Sequence, residues 1–93
     1  MLAKIAEFKV SDGYRLEVLF EDGARGVADL SDLVGHGIFE PLRDRAYLAQ
    51  ASLDEFGVIC WPNGADLAPD AMRAAFERKA VWRPKLAHAA SPA

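Results

Sequence analysis

A single cysteine, two histidines, a few serines and two closely spaced aspartates carry whatever chemistry this sequence could perform. Cys60 lies in the apolar run Val58-Ile59-Cys60-Trp61, where a thiol behaves as a small hydrophobe rather than a nucleophile. His36 sits between Gly35 and Gly37 and reads as a loop residue, and His88 falls in an alanine-rich end. A metal centre needs three or four ligands that converge, and no C-x-x-C, H-E-x-x-H or His-x-His spacing is present. Ser11, Ser31, Ser52 and Ser91 read as turn, cap, strand and tail residues, and none occupies a nucleophile elbow. Gly35-x-Gly37 lacks the third glycine and the lysine that a phosphate-binding loop requires. Asp66 and Asp70 are spaced to share one side of a helix start, as a carboxylate pair for acid–base work would be. Capping and compensation of the helix dipole account for both more simply. The sequence therefore predicts no catalytic residue, no metal ligand and no cofactor site, and hence a protein that is not an enzyme.

The elements that would position these residues follow from the hydrophobic pattern. Ile5 to Val10 reads as a strand, and Ser11-Asp12-Gly13 breaks it. Tyr14, Leu16, Val18 and Phe20 alternate with Arg15 and Glu17, the period of a half-buried strand. Asp22-Gly23 marks a second tight turn, and Ala24 to Ala28 returns as a third strand. In the middle, Asp29 and Ser31 are expected to cap a short turn that holds Leu30, Leu33 and Val34 inward, and Pro41 to open a turn through Asp44. Tyr47 to Leu53 and Val58 to Trp61 read as a hairpin joined at Asp54-Glu55-Phe56-Gly57, its second strand covered on both faces. Asp66 to Ala80 reads as the principal helix, with Met72, Ala75, Phe76 and Ala80 as its apolar stripe. The predicted fold is α+β, an antiparallel β-meander plus a β-hairpin packed against one C-terminal helix. Leu16, Val18, Phe20, Ile59, Trp61, Met72 and Phe76 are the expected core. Residues 1–82 form the expected domain, and residues 83–93 a disordered tail.

Composition bounds the class. The chain has 93 residues, 52% of them hydrophobic and 27% charged, with a net charge of −3. That suits one small domain and excludes intrinsic disorder as its dominant state. No apolar stretch approaches the roughly 20 residues of a membrane span. A lone cysteine and the lack of a secretory signal pattern point to a reducing cytoplasm. The charge is uneven: five Lys/Arg against one Glu after residue 70, and an acidic excess before it. An acidic body disfavours phosphate backbones, so nucleic acid is the weaker expectation and would use the basic C-terminal segment.

The most informative stretch is Trp61-Pro62-Asn63-Gly64-Ala65-Asp66-Leu67-Ala68-Pro69-Asp70. Together with Phe20-Glu21-Asp22-Gly23, Val27-Ala28-Asp29-Leu30-Ser31, and Phe39 with Leu42 and Asp44, it resembles the bacterial domain of unknown function family 2442. The resemblance spans about residues 3–80, and its motif residues are Trp61, Pro62, Asn63, Gly64, Asp66, Leu67, Pro69 and Asp70. It implies a small α+β domain without established catalytic residues. Some relatives carry a helix-turn-helix domain after this module. Others stand alone beside another small protein, which implies antitoxin-like pairing. This chain is expected to be of the stand-alone kind.

The functional expectation is a binding or adaptor module that works through protein–protein contact, with a protein partner or a second copy of itself. The alternative is a DNA-associated regulatory accessory. Trp82 falls outside the helical stripe of Phe76 and lies between Arg78 and Arg83, an aromatic-plus-Arg composition enriched at binding hot spots. Trp82, Arg73, Arg78 and Arg83 are therefore the expected interface, with the tryptophan exposed; the alternative is that Trp82 folds back to cover the sheet edge.

Overall fold

Two Asp-Gly turns fold the first third of the chain into a three-stranded antiparallel meander: β1 (Ile5–Val10), β2 (Arg15–Phe20) and β3 (Arg25–Asp29), in the order β1-β2-β3. The computed structural model describes residues 3–85. Leu16, Val18 and Phe20 are buried and Arg15 and Glu17 exposed, so the alternation in β2 does set the faces. A bulge at Ala6 shifts the β1–β2 register between Ile5 and Glu7.

The middle of the chain departs from the sequence expectation. A 3-10 helix spans Gly37–Arg43 and contains Pro41 rather than starting at it. Tyr47 to Leu53 is not a strand: α1 (Arg45–Leu48) occupies its start, and β4 is only Ser52–Leu53. The reason is local. The Asp44 carboxylate accepts the Ala46 N–H at 2.9 Å, and the Leu48 N–H closes a helical turn onto the Asp44 carbonyl at 3.0 Å. Arg, Ala and Leu favour that turn. Arg45 fixes it against the meander by lying over the Tyr14 ring, 5.4 Å from its centroid, and donating to the Gly13 carbonyl.

β4 pairs with β5 (Ile59–Cys60) through the expected Asp54–Gly57 loop, and the Asp54 carboxylate accepts the Phe56 and Val58 N–H groups. β5 is open on one side. Ile59 is buried, but Cys60 is only half-buried, because no described element covers its second face.

The principal helix, α2, spans Pro69–Glu77 rather than 66–80. Asp66 is still extended, bridged to Cys60, and the Leu67 N–H donates to the Ile59 carbonyl. Leu67 and Met72, both buried, stand at the two positions of a hydrophobic staple across the helix start. At the other end Lys79 adopts φ 58°, while the Ala80 N–H reaches the Ala75 carbonyl and the Lys79 N–H reaches that of Phe76. This is a Schellman closure with lysine where glycine is usual. It turns the chain back so that Trp82 pairs in parallel with Ala28. No helix among the described residues is long and apolar enough to cross a membrane.

The core lies between the inner face of the meander and α2, extended by Leu30, Leu33, Phe39, Leu42, Leu48, Ile59, Trp61 and Leu67. All seven core residues expected from the sequence are buried. Phe76 meets Phe20 edge to face, 5.7 Å between centroids. Its ring also lies on the backbone of Gly26, where a Cβ would fall 2.6 Å from a ring carbon.

Two backbone positions should therefore respond with opposite sign in urea melts. Gly26→Ala forces Phe76 off the sheet and is expected to lower stability by about 1–3 kcal/mol. Lys79→Gly relieves the positive φ and is expected to raise it by about 1 kcal/mol.

Candidate functional site

The segment 61–70 begins as a turn built around a buried anchor. Trp61 is enclosed, stacks edge to face on Phe39 at 6.4 Å, and donates its indole N–H to the Leu48 carbonyl at 3.2 Å. The Trp61 N–H bonds the Ala65 carbonyl and the Gly64 N–H returns to the Trp61 carbonyl, closing a tight turn with Gly64 at φ 92°. That conformation suits glycine and few other residues.

Asn63 sits at the tip and uses its side chain in two directions. Its Oδ1 accepts the Ala65 N–H at 3.0 Å, and its Nδ2 donates to the Ile38 carbonyl at 2.9 Å. The Asn63 N–H meanwhile donates to the Tyr47 hydroxyl at 2.9 Å. One residue thus joins the turn to the 3-10 helix and to α1. Leu67 is buried, Pro69 opens α2, and the Asp70 Oδ1 accepts the Ala3 N–H at 3.1 Å. Most of the motif is committed to the fold.

The side chains of Pro62 and Asp66 are not. Both are exposed, and no hydrogen bond or ion pair reaches the Asp66 carboxylate among the described residues. Asp66 and Asp70 do not share a helix face, since Asp66 lies in the extended bridge before α2. Ser52 and Asp66 both stand opposite Cys60, on either side, so the three side chains share the open face of the small sheet. This places a serine and a carboxylate beside the thiol, not a histidine. Among the described residues no three His, Cys, Asp or Glu side chains gather as a metal site. His88 lies outside the described residues.

The expected interface at the helix end is arranged differently from the expectation. Trp82 is half-buried: of its two readings, the folded-back one holds and the exposed one does not. Its N–H donates to the Val27 carbonyl and its carbonyl accepts the Asp29 N–H, so it extends the sheet at the β3 edge and packs on the core. Arg73 is partly covered, and its Nε and Nη2 both bond the Asp22 Oδ2, at 3.0 and 2.9 Å. Glu77 lies 3.8 Å from the same guanidinium. Arg83 lies 3.7 Å from Asp29. Arg78 alone of the three is exposed without a carboxylate partner among the described residues; it donates to the Ala74 carbonyl. Of the expected tail, residues 83–85 are described, and Arg83 leans on Asp29; the remainder lies outside the described residues.

From the sequence, Asp29 reads as a cap and as part of the family resemblance. It is a buried acid on which three segments meet. Its Oδ1 accepts the Ser31 hydroxyl at 2.6 Å and the Ser31 N–H at 3.0 Å, while its Oδ2 faces Arg15 at 3.6 Å and Arg83 at 3.7 Å. The Ser31 hydroxyl bond holds the Asp29 carboxyl below the usual carboxylate range. Burial opposes this, and the Ser31 N–H, Arg83 and Arg15 reinforce it. The exposed Asp22 is likewise lowered, first by its bond from Arg73. An aspartate followed two residues later by serine at a strand end is the only signal that could have marked this cluster.

The chain belongs to a family whose model matches residues 5–78 and is described as "Protein of unknown function (DUF2442)". No curated protein and no solved structure matches it.

A carboxyl whose folded pKa is lowered adds stability above its unfolded value and loses it as pH falls through the folded one. Asp29→Asn is therefore expected to be less stable than the parent at neutral pH. The gap should close as pH falls from about 5 to about 2, below the ordinary aspartate value. Urea melts across that range check it, and a gap independent of pH would contradict the ionic role of Asp29.

Proposed function

We propose that the protein is a non-enzymatic binding module that acts through protein–protein contact, with the turn Trp61–Asp70 as its recognition surface. The observation that carries the reading is the division of labour within the motif. Trp61, Asn63, Gly64 and Leu67 hold the turn rigid, while Pro62 and Asp66 project from it with no partner among the described residues. A rigid turn loses little conformational freedom on binding, so its exposed side chains can be recognised at low entropic cost. Ile38, half-exposed beside Asn63, adds apolar area to the same surface.

The pairing of Arg73 with Asp22 and of Arg83 with Asp29 supports a protein partner over a nucleic acid, because those charges are already partly neutralised. Antitoxin-like pairing with a small protein, in a bacterial cytoplasm, is the form such contact would take. The helix-end surface around Arg78 and Trp82 is the competing location, and the basic segment is the route by which the module would instead act on DNA.

Affinity capture from the native cell separates these readings. Asp66→Arg and Pro62→Ala are expected to leave the melting curve within a few degrees of the parent. They should weaken the captured partner by about 2 kcal/mol if the turn carries a hot spot. Trp82→Ala should lower stability instead. Unchanged capture by the turn variants, with loss in Arg78→Glu, would move the interface to the helix end. Loss of DNA binding in Arg78→Glu with Arg83→Glu, and no protein partner recovered, would favour the regulatory alternative.

A further inference from the structure

Among the described residues the meander has one bare edge. β3 is extended by Trp82, and the Ile5 N–H at the start of β1 is taken by the Gly57 carbonyl at 3.1 Å. From Ala6 to Val10 no hydrogen bond from outside the meander reaches β1 among the described residues. The register shows which groups that edge presents. Phe8 stands opposite Val18, Lys9 opposite Glu17 and Val10 opposite Leu16, and the Ser11 N–H donates to the Arg15 carbonyl. Bonded and non-bonded pairs alternate along an antiparallel ladder. Counting back from Ser11–Arg15, the Lys9–Glu17 pair is bonded, and Phe8 and Val10 aim their N–H and C=O groups away from β2. The outward Ile5 N–H, on the far side of the bulge, has found its partner in the Gly57 carbonyl. Phe8 and Val10 have none among the described residues.

The side chains along this edge are self-complementary. Glu7 and Lys9 are exposed on the outer face, while Phe8 and Val10 are half-buried toward the inner face. A second copy laid antiparallel with its two-fold axis at Phe8 would exchange backbone hydrogen bonds between the two Phe8 residues. Glu7 would then stand opposite Lys9 of the second copy, and Lys9 opposite its Glu7. These would be non-bonded pairs, with Cα atoms about 4.5 Å apart, where cross-strand charge acts most directly. Centring the axis on Lys9 or on Glu7 instead would oppose like charges. Centring it on Val10 would set Lys9 against Ser11. Only the Phe8-centred register matches both charges.

We infer that β1 is a homodimerisation edge, at which a second copy of this chain pairs antiparallel about Phe8 and joins two meanders into one six-stranded sheet. Charges and bulges can blunt a strand edge, and β1 carries a bulge at Ala6, but charges repel a second copy only where like meets like. Here the alternation of Glu7 and Lys9 does the reverse. Among the described residues no hydrogen bond joins residues 6–10 to the turn, and a dimer would offer two copies of that turn.

Charge reversal on the exposed pair tests this without disturbing the core. The parent chain, 10.1 kDa, is expected to elute at twice its monomer mass in light scattering coupled to size exclusion. Lys9→Glu and Glu7→Lys, each alone, should weaken the dimer by about tenfold or more. Mixing the two single variants, or combining both reversals in one chain, should restore it. A carbodiimide cross-link between Glu7 of an isotope-labelled copy and Lys9 of an unlabelled one gives a second readout on the parent protein. A monomeric parent, single variants that dimerise unchanged, or a dimer that gives no such cross-link would each overturn the inference.

Discussion

Asn63 meets three stretches of chain that share little regular structure. The 3-10 helix, α1 and the turn after β5 hold no extended hydrogen-bond ladder among them. They converge because the Asn63 amide donates to the Ile38 carbonyl while its oxygen accepts the Ala65 N–H, and its backbone N–H meets the Tyr47 hydroxyl. Each such bond is worth only about 0.5–1.5 kcal/mol net, and those to Ile38 and Tyr47 lie exposed, where water can replace them. The arrangement therefore works less as added stability than as a constraint on alternatives. Beneath it, Trp61 fills the space between Phe39 and Leu48 and leaves its only polar atom bonded. The wall of the domain formed by residues 37–67 depends on this pair.

The opposite wall is closed by the chain's return. A positive φ at Lys79 ends α2, and the backbone of Trp82 then completes the β3 edge. Asp29 gathers the consequences: it fixes the turn at Ser31, accepts charge from Arg15 in the neighbouring strand, and faces Arg83 from the returning segment. The Asp-Gly turn between β2 and β3 has a parallel role, since Asp22 both caps Ala24 and binds Arg73 of α2. The basic C-terminal charge visible in the composition is thus partly answered by acids of the meander. This is why the arginines near Trp82 do not make a continuous cationic surface.

The meander was legible because its signals are local: two Asp-Gly turns and an alternating β2 leave little choice of register. The hairpin loop and the core residues followed from the same kind of signal. Tyr47 to Leu53 misled because an apolar run of that length suits either state, and the Asp44 cap decided it. Helix α2 ended early because Lys79 takes a conformation that sequence assigns to glycine. The Gly26–Phe76 contact was invisible, since a glycine within a strand does not say which ring will lie on it. In the candidate site, the importance of the Trp61–Asp70 stretch was legible from its density of turn residues and its resemblance to a family. The cross-links made by Asn63 were not, because Ile38 and Tyr47 lie 25 and 16 residues away in sequence. The sequence leaves Trp82 open between an exposed and a folded-back position for the same reason: its partner is the edge of a distant strand.

The central claim is that the Asn63 side chain braces the turn against the 3-10 helix. Asn63→Asp isolates it, because the oxygen that accepts the Ala65 N–H is kept and the donor to the Ile38 carbonyl is lost. Native-state hydrogen exchange on parent and variant is the direct measurement. The account predicts faster exchange for amides of residues 37–48 and 61–67, by about fivefold or more for a lost bond of about 1 kcal/mol, with β2 and β3 unchanged. Uniform loss of protection across the meander, or no change near Ile38, would contradict it.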